Sequence, residues 1–292
     1  MPAALSVHLI LIVAQVCFAA LPVAGRLALN GTIGPAAIVL ARVCGGALVF
    51  TLIAWRRGVL RIRREDMWPL LGCALLGVAA NQELFVHGLA RSTATNASLL
   101  NATIPVWTIV VAIVLRREPL RLRRMLGVVV AFGGVIALVG VDRMSTAPGH
   151  LLGSIMVLLN SLCYSSFLVV VRPLGERYDP FALIAWLFIA AAPFVAPFGI
   201  HELVNSPPLA GADFAYLGFL VAVPTVTAYA LVQIALQRSE STLVAAYIYL
   251  QPVFATLGAM ALLGEQPSLR TLLCGAVVLA GVRIAVVRAA RQ

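Results

Sequence analysis

The chain reads as a series of apolar blocks separated by short polar or charged stretches. Each block is about 20 residues long, the length a helix needs to cross a ~30 Å hydrocarbon core. Strict apolar–polar alternation is missing, and backbone groups in lipid must pair within their own segment. Helices rather than strands are therefore predicted. Ten spans fit: 5–25, 33–55, 67–89, 94–115, 122–141, 151–171, 180–200, 212–236, 242–263 and 269–288. The breaks carry turn residues or charge, among them Asn30-Gly31, Arg56–Asp66, Arg116–Arg124, Asn205–Gly211 and Gly264–Ser268. The first 25 residues have no positively charged leader and are expected to stay as the first span.

Part of this pattern occurs twice. Pro105, Glu118, Arg123 and Gly134 are matched by Pro252, Glu265, Arg270 and Gly281, each pair 147 residues apart. Arg91-Ser92, Thr95, Val106, Leu115, Leu122, Leu126 and Val130 recur in the same register. Apolar matches arise easily by chance, but the proline, glutamate, arginine and glycine matches in one register do not. They point to an internal duplication. Residues 1–146 form a first five-helix repeat and 147–292 a second, within one transmembrane domain. Five is odd, so the second repeat enters the membrane from the opposite side. The expected architecture is all-α, with two inverted repeats around a central cavity.

Composition agrees and excludes several functions. The chain is 62% hydrophobic and 11% charged, with a mean hydropathy of +1.01. Soluble domains carry about a quarter charged residues, so the solvent here is lipid. The net charge of +10 lies in the loops between spans, which argues against nucleic-acid binding. All 21 basic residues are arginine. No P-loop lysine and no lysine Schiff base can form. The five cysteines are scattered within apolar blocks, with no metal-pair spacing. No His-Glu-x-x-His, no Gly-x-Ser and no intramembrane aspartate pair occurs, so an enzyme is not expected, nor a metal or cofactor. No ring of charge suggests a channel. With the N-terminus inside, the inner loops hold 15 arginines and the outer loops 4. That bias puts both termini in the cytoplasm. Trp55 and Trp68 flank the first inner loop as interface anchors.

Polar groups within lipid-spanning helices tend to face a cavity or another helix. Span 8 carries Thr225, Tyr229, Gln233 and Gln237 at helical spacing, span 9 Tyr247 and Gln251, span 6 Asn160 and Tyr164, and span 4 Ser98, Asn101, Pro105 and Thr108. Asn101, Asn160, Tyr164, Thr225, Tyr229, Gln233, Tyr247 and Gln251 are candidate substrate contacts, with Trp107 as a cavity wall. Hydrogen bonding between helices is the structural alternative. Pro105, Pro224 and Pro252 each remove a backbone donor within a span and are candidate hinges. Glu83, the acid placed well inside a span, has His87 one turn on. The pair is a candidate for proton coupling, or a local ion pair. Arg42 in span 2 could meet a carboxylate or phosphate, or brace the bundle through carbonyls. Glu118 and Glu265 are expected to be caps or gate pairs at the ends of spans.

The Pro-x(12)-Glu-x(4)-Arg…Gly pattern, present in spans 4–5 and again in spans 9–10, resembles the EamA family of the drug/metabolite transporter superfamily. Within it the chain looks most like the YddG-type amino-acid exporters. The resemblance covers nearly the whole chain. It implies a basket-like helical bundle in the bacterial inner membrane. That bundle would export amino acids or similar small metabolites by alternating access, with lipid and a small-molecule substrate as partners and a monomer as the expected state. A multidrug or cation exporter is the alternative. The four-span relatives couple protons through a first-span glutamate. Here span 1 has Gln15 and no acid, so that mechanism does not carry over.

Overall fold

The structure is a computed structural model that describes residues 2–92, 97, 100–117, 121–139, 148–209, 211–254 and 269–286. Ser98, Glu118, Glu265 and the boundary between residues 146 and 147 lie outside the described residues. The helices are α1 Pro2–Leu29, α2 Pro35–Arg56, α3 Arg64–Arg91, α4 Ile104–Val114, α5 Leu122–Val139 and α6 Pro148–Val170, then, after a short helix Arg172–Arg177, α7 Pro180–Asn205, α8 Gly211–Leu236, α9 Ser241–Phe254 and α10 Leu269–Val286. No strand occurs among the described residues. Among the described residues, six helical segments are long and apolar enough to cross a membrane: Val7–Leu29, Pro35–Arg56, Arg64–Arg91, Leu151–Arg177, Pro180–Asn205 and Gly211–Leu236. Shorter apolar helices lie at Ile104–Val114, Ser241–Phe254 and Leu273–Ala285.

Four of these elements are not the uninterrupted helices that the apolar blocks suggest. Near Pro105 the chain turns at Ala102-Thr103 before α4 starts, so this proline sits in the first turn of a new helix. Serines of α6 bond across to carbonyls at that break. Ser161 Oγ donates to Leu100 O at 3.1 Å and Ser165 Oγ to Ile104 O at 2.9 Å. In α9 a 3₁₀ turn at Tyr247–Tyr249 comes just before Pro252. Within α3 and α8 the winding widens to π at Leu75–Ala79 and Ala222–Thr227. The two π segments start 147 residues apart, and so at matching places in the duplicated pattern. Pro224 has no N–H for Leu220 O, and the Thr225 hydroxyl donates to that carbonyl instead, at 2.7 Å.

The principal packing partners are α2 with α7, α5 with α10, α3 with α6, and α1 with α8. Small residues let α5 and α10 approach closely. A Cβ at Gly134 would lie 2.8 Å from Val278 Cγ2, and one at Gly281 only 2.4 Å from Ala131 N. Gly134 and Gly281 are 147 residues apart, as are Ala131 and Val278. One contact is thus made twice, in reciprocal sense. Gly134→Val and Gly281→Val are expected to lower the melting temperature by several degrees, from overpacking worth about 1–3 kcal/mol. Gly133→Val, whose Cβ would meet nothing within 4 Å, should leave it nearly unchanged. Equal melting of all three variants would disprove the close packing.

Polar contacts gather at the two ends of the bundle. At one end Thr32 Oγ1 donates to Asp213 at 2.6 Å, and Glu202 accepts from Ala37 N, in the first turn of α2, at 2.7 Å. Arg26 donates to Leu89 O there at 3.1 Å. At the other end Asp66 accepts from Arg177 at 2.8 Å and from the Tyr178 hydroxyl. Glu240 accepts from Arg121 at 3.0 Å and also from Arg124. Gln237 donates to Gly175 O and Tyr178 O, each at 2.8 Å.

Candidate functional site

The interrupted helices surround one cavity. Its wall is built from α1, α3, α6, α8 and α9, from the stretch leading into α4, and from a single residue of α2. Polar positions are Gln15, Arg42, Asn81, Asn101, Asn160, Tyr164, Tyr229 and Gln251; Phe18, Phe85, Ile104, Leu168, Val232 and Ile248 supply much of the apolar wall. Both halves contribute equivalent positions. Phe85 and Val232, Asn101 and Ile248, and Ile104 and Gln251 are each 147 residues apart. The stretch before α4 therefore offers Asn then Ile, while α9 offers Ile then Gln. The scaffold repeats but the chemistry does not, and the two amides meet across the cavity.

Those amides form a continuous head-to-tail chain. Tyr229 Oη donates to Asn81 Oδ1 at 3.3 Å, Asn81 Nδ2 to Asn160 Oδ1 at 2.6 Å, and Asn160 Nδ2 to Asn101 Oδ1 at 3.1 Å. Asn101 Nδ2 then donates to Gln251 Oε1 at 3.5 Å, and Gln251 Nε2 to Gln15 Oε1 at 2.7 Å. Such a chain polarises along its length, and each amide keeps one further donor or acceptor position. Tyr229 is held in place by its environment. Its ring meets Phe18 and Phe188 edge-on, with centroids 5.9 and 5.2 Å away, and its one hydroxyl proton is shared between Asn81 Oδ1 and Gly77 O, the latter in the π segment of α3 at 3.1 Å.

Arg42 is 2% exposed and is the one charged residue of the wall among the described residues. Its Nε donates to Thr225 Oγ1 at 2.8 Å, and the same hydroxyl passes its proton to Leu220 O. The π segment of α8 thus orients the guanidinium. No ion pair to Arg42 occurs among the described residues, although a lone buried charge is costly.

Of the substrate contacts expected from the sequence, Asn101, Asn160, Tyr164, Tyr229 and Gln251 line the cavity, together with Pro252. The others lie elsewhere. Trp107 is on the outer surface of the bundle at 36% exposure. Thr225 is buried against Arg42. Gln233 is buried beside Gly175, and Tyr247 bonds to His8 Nδ1 at 2.5 Å. Neither Pro105 nor Pro224 reaches the wall; both act on the winding around it. Glu83 and His87 pair at 3.1 Å, and Arg91 meets the other imidazole nitrogen at 3.1 Å, all away from the cavity wall. The sequence reading does not place Asn81 or Gln15 on the wall, and it leaves Arg42 open between an anion contact and a brace. Spacing from Asn81 to Phe85 on one face of α3 was the available signal for Asn81.

Comparison with known proteins gives consistent matches. A model of the EamA-like transporter family matches residues 5–140 and again residues 151–287. A protein of Streptantibioticus cattleyicolor named "Probable terminal-alkyne amino-acid exporter" is 28% identical, over 89% of this chain and 86% of its own length. An uncharacterised transporter of Archaeoglobus fulgidus is also 28% identical, over 80% and 81%. A solved crystal structure superposes with a TM-score of 0.80 at 21% identity, covering 96% of each chain, and so shares the fold.

Proposed function

The chain belongs to the EamA-like transporter family, a membrane-embedded transporter and not an enzyme, and from that premise we propose that it exports amino acids and similar small metabolites by alternating access. The observation that carries this reading is the amide chain lining a cavity between the two matched regions. Neutral amides supply donors for a carboxylate and acceptors for an ammonium without permanently neutralising either. Binding of that kind is weak enough for release. The name of the Streptantibioticus relative supports an amino acid as cargo. A cation exporter is disfavoured by the cavity wall, which among the described residues holds Arg42 and no acid.

The proposed architecture is ten spans in two inverted repeats, in a bacterial inner membrane with both termini cytoplasmic. The reciprocal Gly134 and Gly281 contacts, and the π segments at matching places, support the duplication. In this reading the helix breaks near Pro105, Pro224 and Pro252 are where the two halves rock. Purified protein in liposomes preloaded with a neutral amino acid should show saturable counterflow of the labelled form. Linear, non-saturable flux would speak for a channel.

Glu83 and His87 are the proposed proton-coupling pair, since one oxygen of Glu83 holds the imidazole and the other is buried without a partner. Glu83→Gln is expected to remove the dependence of transport on a pH gradient while leaving counterflow intact. Unchanged dependence in that variant would return the pair to a structural role.

A further inference from the structure

We propose that Arg42 is the anchor for the substrate's carboxylate, so that the transporter requires a small monocarboxylate and does not require an ammonium group. This rests on the exporter reading above and narrows its substrate class.

The argument begins with what a buried guanidinium needs. Arg42 carries five N–H donors in a planar fork and cannot be deprotonated in a protein. One donor, Nε, is used by Thr225 Oγ1. Neither terminal nitrogen has a hydrogen-bond acceptor among the described residues, yet the residue is 2% exposed and forms part of the cavity wall. The open space that Arg42 borders is the cavity. The fork matches a carboxylate, which can accept two parallel bonds from it. A single positive charge neutralises a monoanion; a phosphate dianion calls for a second cation, and no other cationic residue lines the wall among the described residues.

The rest of the wall sets what is not recognised. Among the described residues it contains no aspartate, glutamate or histidine. An ammonium group would meet amide oxygens of the chain. These are neutral acceptors that a hydroxyl can use as well. Charge-assisted bonds are about twice as strong as neutral ones, so losing the carboxylate must cost more than losing the ammonium. Organic cations are repelled by Arg42 outright.

The test compares matched solutes on the wild-type protein in detergent and in liposomes. L-alanine and L-lactate are expected to raise the melting temperature, because a ligand that binds the folded state stabilises it. L-alaninamide, L-lactamide and tetramethylammonium are expected not to. In counterflow, L-lactate should compete with labelled L-alanine, and L-lactamide should not. Arg42→Gln should weaken protection by L-lactate about tenfold or more, and Arg42→Lys should keep part of it.

Lactamide protecting as well as lactate, or Arg42→Gln responding like wild type, overturns the anchor. Absence of protection by any carboxylate overturns it too. Protection by inorganic phosphate equal to that by L-lactate overturns the monocarboxylate class. If Arg42→Gln does not fold, the wild-type pairs decide alone. Protection by L-lactate with no transport of any solute refutes the exporter reading and leaves the anchor standing. Transport of L-alanine with equal transport of L-alaninamide does the reverse.

Discussion

Asn160→Ala is expected to reduce counterflow of a neutral amino acid by about tenfold or more, with only a small change in melting temperature. Asn160 is the middle link of the amide chain, accepting from Asn81 and donating to Asn101. Its removal leaves one donor and one acceptor unpaired. Both neighbours line the cavity, so water can satisfy them, and the folding cost stays modest. Transport suffers more. A neutral hydrogen bond contributes about 1 kcal/mol net, and one to a charged group about 1.5–3 kcal/mol, so losing one bond to a zwitterion's ends already amounts to at least tenfold. Misplaced Asn81 and Asn101 add to that loss. Asn101→Ala and Gln251→Ala should behave alike, and Tyr229→Phe more mildly, because Tyr229 only donates at the start of the chain. Trp107→Phe and Tyr247→Phe, both off the wall, should transport normally. If every variant loses transport only in proportion to lost folding, the amides are packing and the site lies elsewhere.

Legibility differed sharply between the scaffold and the site. The helical class and the six long apolar helices follow from block length alone, and the recurrence could be read from Pro105, Gly134 and their partners. What could not be read was winding. A π segment turns residues beyond it out of the phase that 3.6-residue spacing predicts. The Thr225-Tyr229-Gln233-Gln237 stripe therefore does not face one way. Thr225 turns to Arg42, Tyr229 to the cavity, and Gln237 to the carbonyls of Gly175 and Tyr178. The Asn81–Phe85 spacing was masked because Gln82 and Glu83 follow Asn81, and three polar residues in a row single out no face by polarity. Gln15 is the only polar residue between His8 and Arg26, and its partner Gln251 lies 236 residues away. No local pattern could join them. Arg42 shows the same limit, since its role depends on a hydroxyl 183 residues distant.

Labelling of single cysteines is expected to be all-or-none and to divide by end of the bundle. The five native cysteines, at 17, 44, 73, 163 and 274, would first be replaced. Contacts between loops fix which positions share an end. Thr32 with Asp213 and Glu202 with Ala37 hold residues 30–37 beside residues 202–213. Asp66 with Arg177 and Glu240 with Arg121 gather the opposite loops. Arginines crowd that second end: Arg56, Arg57, Arg61, Arg63 and Arg64, then Arg116, Arg117, Arg121, Arg123 and Arg124, then Arg172, Arg177 and Arg238. The first end has Arg26 and Arg91. A bias of this size sets orientation, and one arginine fewer does not reverse it. Asn30→Cys and Asn205→Cys should react with an impermeant maleimide added to intact cells. Arg61→Cys and Arg238→Cys should react only after the membrane is opened. Each pair takes one residue from each matched half, so the result also tests the inversion. The stretch before α2 and the stretch after α7 would lie on the same side, although they come from different halves. Reaction of Arg238→Cys in intact cells, with Arg61→Cys protected, would break the inverted-repeat architecture and with it the route by which a shared central cavity could open alternately to each side.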